Sequence, residues 1–445
     1  MNRLNVARLA AAVAGGLAVT VLAACSSSGT TSSSPSKSSS ASVSTSSASG
    51  QRVKLVWWHD GDTEPLKSYW AGVAKGFEAI HPNVTIEVDA FRSEDLQNTR
   101  IPNALRGSNP PDLFQQWGGG READQAAAGK LLDITTRAAG TIASLGGAVG
   151  GWTVGGKVYG LPWDMAIEGF WYNKALFAQA GITGTPATFT DLETDIAKLR
   201  AIGVAPISLG AKDQWPAAHY WFNFALRDCT TAIMQQAAVD KTFTDPCFAQ
   251  AGTDLQAFLK TNPFQSGFLG TTAQQGASSS AGLLATGKAA MELMGAWEPS
   301  AVGGLTADKK IPSFLAWFPF PTTTGGKGDP TSAMGGGGGF SCSYTAPPEC
   351  VELLQYIDSE KVQEGLAAIG AGIPALPSAA SALTDPNLKA VAAAQANVKY
   401  VQLWLDVAYG SNVGGALNQS VTNLMAGQGD AGSIVTAITQ AAAQG

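Results

Sequence analysis

VKLVWWHDGDTEPLKSYWAGVAKGFEAIHPNVTIEV, residues 53–88, is the stretch on which the fold turns. Val53–Trp58 is an apolar run of strand-forming residues. A polar loop follows, from His59 to Pro65. Leu66, Trp70, Val73, Phe77 and Ile80 then recur at helical spacing, which predicts an amphipathic helix over 66–80. His81-Pro82-Asn83 breaks it, and Val84–Val88 is the next strand. Strand, helix and strand in this order make a βαβ unit, hence a parallel sheet and an α/β fold.

Downstream the alternation continues. A polar helix is expected at 93–106, a third strand at Asp112–Gln116, and short extended pieces at Lys130–Ile134 and Val158–Leu161. Thr190 with Glu193 reads as a capping box opening a helix over 191–201. Ala205–Leu209 is a strand, and 216–228 a helix rich in aromatics. Further helices are expected at 247–260, 281–287, 349–370, 385–397, 414–426 and 431–443. No internal repeat is visible, and two sheets suit a chain of 445 residues.

The start of the chain reads as an address. Arg3 and Arg8 precede an apolar stretch of small residues, 9–24, shorter than the ~20 residues of a spanning helix. It ends in Leu22-Ala23-Ala24-Cys25, which looks like a bacterial lipobox: residues 1–24 would be removed and Cys25 acylated. Loss of Arg3 and Arg8 leaves 26 basic against 34 acidic residues, a net −8, so lipid and not charge would hold the protein at a membrane. Residues 26–50 hold 15 Ser and 3 Thr, too little apolar surface to offset ordering entropy. With Cys25 they form a tether over 25–50, with a reach of roughly 25–30 Å. Four cysteines remain: Cys229, Cys247, Cys342 and Cys350. They allow three pairings. Nearest-neighbour pairing closes two short loops, and four buried thiols are the alternative; an exported chain favours bridges.

Composition excludes several classes. Charged residues are only 14% and no basic block survives in the body, which argues against nucleic acid as a partner. Three histidines, His59, His81 and His219, with no CxxC or HExxH, argue against a metal site, and no cofactor is expected. Gly118-x-Gly120-x-x-Ala123 mimics a dinucleotide fingerprint but follows the third strand, and the five glycines 335–339 lack the Lys of a P-loop. There is no GxSxG. A carboxylate pair for glycoside hydrolysis could still lie among Asp60, Glu64, Asp164, Glu168 and Glu298, which keeps a cell-surface glycosidase as the rival reading.

Tryptophan is the informative residue, with 12 copies. Trp70 sits at a helical core position. Trp117, Trp163, Trp215 and Trp297 stand beside Gly, Pro, Asp or Glu, Trp171 and Trp404 lie two residues from one, and Trp221 joins them near expected element ends. Sugar rings stack their C–H faces on flat aromatics, while carboxylates, amides and His hydrogen-bond the hydroxyls. Trp163-Asp164, Trp215 with His219, and Trp297-Glu298 each supply both functions. His59, Asp60, Asp62 and Glu64 share a loop beyond the carboxyl end of the first strand, where open α/β sheets bind ligands.

Four segments carry a family resemblance: Pro111–Gly120 (PDLFQQWGGG), Tyr159–Phe177 (YGLPWDMAIEGFWYNKALF) with Thr188–Leu192, Gly287–Pro299 (GKAAMELMGAWEP) and Val351–Gln363 (VELLQYIDSEKVQ). In order and spacing they resemble an extracellular solute-binding protein of an ABC importer, in the maltose-binding class, of actinobacterial type. The resemblance implies a two-lobed, periplasmic-binding-protein-like α/β fold with three crossing segments, near 164–169, 336–342 and 372–377. It divides the chain into lobe one, 51–165 with 341–373, and lobe two, 166–340 with 374–445, with a ligand cleft between them. By position, Asp164 resembles a hydroxyl-binding carboxylate, Trp297 the stacking tryptophan of lobe two, and Trp117, Gly118 and Gly119 the wall of lobe one. His59, Asp60 and Glu64 match the loop that meets ligand, and Trp215 to His219 resembles oligosaccharide-binding members. Trp171, Glu298 and Trp404 join the candidate set, with Gly337 in the glycine run at a crossing. The expected protein is a monomeric, lipid-anchored receptor on the outer face of the cell membrane. It would be no enzyme, and would pass an oligosaccharide to ABC permease subunits. A non-sugar solute in the same fold is the third reading.

Overall fold

The computed structural model describes residues 51–444. The leader, Cys25 and the tether lie outside the described residues. Val53–His59 pairs in parallel with Val84–Ala90, from Val53 opposite Val84 to His59 opposite Ala90. Leu55, Trp57 and His59 alternate inward, as a half-buried strand requires. The helix Leu66–Ile80 lays Trp70, Val73, Ala74 and Phe77 on the sheet. Leu113–Gln116 adds a third parallel strand, and Gly339–Cys342 and Gly160–Pro162 extend the sheet antiparallel.

A second sheet of four strands has the order Leu315–Pro319, Gly169–Asn173, Ala289–Met294, Ala205–Ile207. Its core is aromatic, with Phe170, Tyr220, Trp221, Phe222, Phe224 and Phe258 all buried. The C-terminal helices Gly410–Met425 and Ala431–Ala442 pack into the same core. Between the two stands a third sheet, not expected from the sequence: Val401–Leu403, Ala333–Gly336 and Ala166–Ile167. Its strands are two to four residues long, too short to leave a periodic signal.

The chain passes between the lobes at three places laced together around LPWD. Trp163 N donates to Gly338 O and Met165 N to Ile373 O. The Asp164 backbone bridges Pro374. The glycine run is no loose loop: Gly335 and Gly336 end one strand and Gly339 opens the next. It serves close approach, not unusual backbone angles, since none of its φ values is left-handed. A Cβ at Gly337 would fall 1.7 Å from Asp164 O. At and just beyond the third passage, Ala375, Leu376 and Ala379 pack in the first core.

Other differences are local. The capping box belongs to Thr188 and Asp191, so the helix Phe189–Ala201 starts two residues earlier than expected. Thr188 holds the extended backbone a cap needs (φ −115°, ψ 161°). Residues 93–106 are helical but pass through a π-turn at Leu96–Arg100. Only an isolated bridge, Leu131 to Ser343, stands in 130–134. Cys229 lies beside Cys247 (Cα–Cα 5.1 Å) and Cys342 beside Cys350 (6.1 Å), with both sulfur pairs at bonding distance. No helix among the described residues is long and apolar enough to cross a membrane.

Candidate functional site

A cavity opens between the lobes at the carboxyl ends of the first-sheet strands. Asp60, Trp117, Asp164, Trp215, His219, Trp297 and Trp404, all expected, line it together. No lysine or arginine does.

The first lobe supplies polar groups. Asp60 follows the first strand and is drawn in with Thr63; burial, and then Asp62 nearby, raise its carboxyl to about 7. Gln115, on the third strand, was missed from the sequence. It is 1% exposed, and neither its amide oxygen nor its amide nitrogen has a partner among the described residues. A buried amide without partners is costly unless something else satisfies it, so it is a strong hydroxyl-binding candidate. An inward Gln in a strand of buried residues was the available signal. Asp164 accepts from the Gly338 N–H, and burial raises its carboxyl well above the ordinary range. It therefore ties a crossing as well as lining the cavity. Trp163 adds an indole whose N–H is unpaired among the described residues; its ring meets Trp70 at 5.4 Å.

The second lobe supplies rings. Trp215 opens the helix Trp215–Asp228, and His219 follows one turn later on the same face, ring centroids 5.1 Å apart. Trp297 stands 6.1 Å from Trp215 at 67° and 5.5 Å from Trp404 at 65°. His219 and Trp404 are near-parallel, 10° and 5.9 Å. The indole N–H groups of Trp215 and Trp297 have no partner among the described residues. Ser93, Gln97, Gln274, Ser300 and Asp406 complete the polar lining, and none of them carried a sequence signal. At the rim, Arg92 from the first lobe meets Asp213 from the second, Nη2 to Oδ1 2.7 Å.

Seven expected residues do not line the cavity. His59 is 1% exposed and its Nδ1 accepts from the Gly61 N–H at 3.1 Å; burial, with Lys67 nearby, lowers it to about 3, so it shapes the loop as a neutral ring. Glu64 faces solvent and accepts from Ser68 N at 3.2 Å, serving the start of a helix. Gly118 and Gly119 turn the chain at φ 71° and 67°, and Gly119 packs against Leu403. Trp171 is fully buried; its indole donates to Met294 O (3.2 Å) and Gly295 O (2.9 Å), bracing the segment that carries Trp297. Glu298 is buried beside Glu292, and burial raises both carboxyls, Glu292 to about 8. Gly337 abuts Asp164, and its neighbour Gly338 lines the cavity instead.

This chain is similar to several known proteins. A structure from work on xylan utilization by the thermophilic bacterium Caldanaerobius polysaccharolyticus superposes with a TM-score of 0.80 at 27% identity, covering 87% of this chain and 99% of that one. A chitin oligosaccharide binding protein gives 0.79 at 26%, covering 89% and 99%. The diacetylchitobiose binding protein DasA of Streptomyces coelicolor is 26% identical over 361 residues, 77% of this chain and 76% of the relative. An uncharacterized ABC transporter extracellular-binding protein of Pyrococcus horikoshii is 30% identical, but the match spans 37% of this chain and only 40% of that relative. The family model for bacterial extracellular solute-binding proteins matches residues 60–364, well over half of the sequence, and the chain belongs to that family.

Proposed function

We propose that this protein captures an oligosaccharide outside the cell and delivers it intact to an ABC permease. The observation that carries the reading is the cavity: five tryptophans, three aspartates and two unpaired amide or indole donors on each side, with no cation to attract an anionic solute. Stacking rings and hydroxyl-binding groups on both lobes, with the rings concentrated on the second, suit a neutral sugar held across the cleft. Such a ligand favours the closed state through contacts that only closure completes. The names of the chitin-oligosaccharide and diacetylchitobiose binding relatives support the same class. Cys25 is the proposed lipid anchor and 26–50 the tether, with the lobes divided as the sequence implies. The two cysteine pairs are proposed as disulfides, in keeping with export.

Tryptophan fluorescence, titrated with xylo-, chito-, cello- and malto-oligosaccharides, tests the reading. A saturable change with intact sugar is expected. Cleaved sugar in the product analysis would establish a glycosidase working through carboxylates such as Asp60 and Asp164. No response across the panel from folded protein would point to a non-sugar solute.

A further inference from the structure

Glu168 stands between the short strand Ala166–Ile167 of the middle sheet and Gly169–Asn173 of the second. Its side chain is fully buried. Three side chains converge on it. His219 Nδ1 lies 2.7 Å from Oε2. Trp404 Nε1 donates to the same oxygen at 3.1 Å. The Asn223 amide donates to Oε1 and also to His219 O, one turn back on the same helix. No lysine or arginine pairs with Glu168 among the described residues, so the His219 imidazole is the basic group set against it. A buried carboxylate of this kind could be mere core bonding. Here, however, two of its three partners line the cavity, and their rings are nearly parallel.

We infer that Glu168 is a positioning residue of the binding site: it fixes a proton on His219 Nδ1, holds the Trp404 indole beside it, and leaves His219 Nε2 as the nitrogen that meets a ligand. The physical reason is a lone-pair conflict. An unprotonated Nδ1 at 2.7 Å would set its lone pair against a carboxylate oxygen, whereas a protonated one turns that close contact into an attraction between an N–H and the carboxylate, off the straight line of a hydrogen bond. Histidines held by a carboxylate on one nitrogen present the other in a fixed direction, the arrangement that orients imidazoles in metal and catalytic sites. Nε2 then accepts while the ring is neutral and donates when it is charged. A hydroxyl satisfies both states, and a carbonyl or carboxylate only the second. Glu168 thus makes the wall both rigid and selective for hydroxyl-bearing ligands. The ligand class rests on the carbohydrate reading; the positioning role does not.

The imidazole nitrogen resonances of the sugar-free protein test that role directly. The sequence holds three histidines, so His219→Gln identifies the His219 signals by their loss. A protonated Nδ1 is expected in the parent. Glu168→Leu should move the proton to Nε2 and shift the Trp404 indole N–H, leaving His59 and His81 in place. Binding is then read with xylotriose and diacetylchitobiose. Glu168→Gln should weaken the sugar that binds by about tenfold or more, and adding it to His219→Gln should cost far less than that. Glu168→Gln also carries the spectral test should Glu168→Leu fail to fold. An unprotonated Nδ1 in the parent, or effects that simply add, would overturn the inference. If neither sugar binds, the carbohydrate reading falls while the spectra still decide the role of Glu168.

Discussion

The two walls of the cleft are built from different chemistry. The first lobe offers Asp60, Gln115 and Asp164, on or just beyond strand ends, where backbone bonds fix them. The second offers His219, Trp215, Trp297 and Trp404, each meeting the next with ring centroids 5.1 to 6.1 Å apart. Hydrogen bonds are directional and discriminate between hydroxyl patterns, whereas stacking tolerates any ring with an apolar face. The polar wall, with His219 facing it, should therefore choose the sugar, and the aromatic rings should supply most of the attraction.

The largest effect should come from a tryptophan behind the aromatic wall. Trp171→Ala removes a fully buried indole and orphans its bonds to Met294 O and Gly295 O, so it should cost about 3–5 kcal/mol of stability in denaturant unfolding. Trp297→Ala removes a ring of the wall itself. It should weaken sugar binding by ~1–3 kcal/mol in calorimetry while leaving the unfolding midpoint nearly unchanged. If the two variants behaved alike, the division between bracing and binding tryptophans would be broken.

The polar wall is open to a pH test. The Asp60 carboxyl is raised to about 7 in the folded protein and ionises near ~3.9 when unfolded. The contribution of Asp60 to stability is thus full below about pH 4 and is lost as the pH rises through about 7, because the folded state resists its ionisation. Asp60→Asn should flatten this decline, gaining on the parent at about pH 8 and not at about pH 4 in thermal unfolding. Equal pH profiles would show that Asp60 is not held in the cleft as described.

Smaller effects lie at the rim. Arg92→Ala removes the contact between the lobes at Asp213. On a partly exposed bridge it should cost less than ~1 kcal/mol of affinity, with a slight rise in the radius of gyration by X-ray scattering. Glu64→Ala should change affinity by less than about twofold, since its carboxylate points to solvent and serves a helix start. A large loss there would bring the whole His59–Pro65 loop back into the site.

Much of the site was legible because tryptophan within two residues of Gly, Pro, Asp or Glu at an element end is an uncommon placement, and Trp117, Trp215, Trp297 and Trp404 all reach the cavity. What failed was depth. His59 and Asp60 are neighbours, yet strand alternation sends the first into the core and leaves the second at the cavity. Trp171 and Trp297 look equally suited to stacking, and only the pairing of Gly169–Asn173 with Ala289–Met294 puts one behind the other. Gln115 went unremarked because it stands beside Gln116 in a four-residue strand, and the sequence alone does not tell that both are buried.

The sequence by itself determined the α/β alternation, since apolar periodicity is a property of neighbours along the chain, and it marked the aromatic residues worth weighing. Tertiary structure alone decided the middle sheet, the lacing of the crossings around Asp164 and Gly338, and the meeting of Glu168 with His219 and Trp404. These join residues 51 to 236 positions apart. Contacts over such separations depend on how whole elements pack, and no local pattern of residues records them.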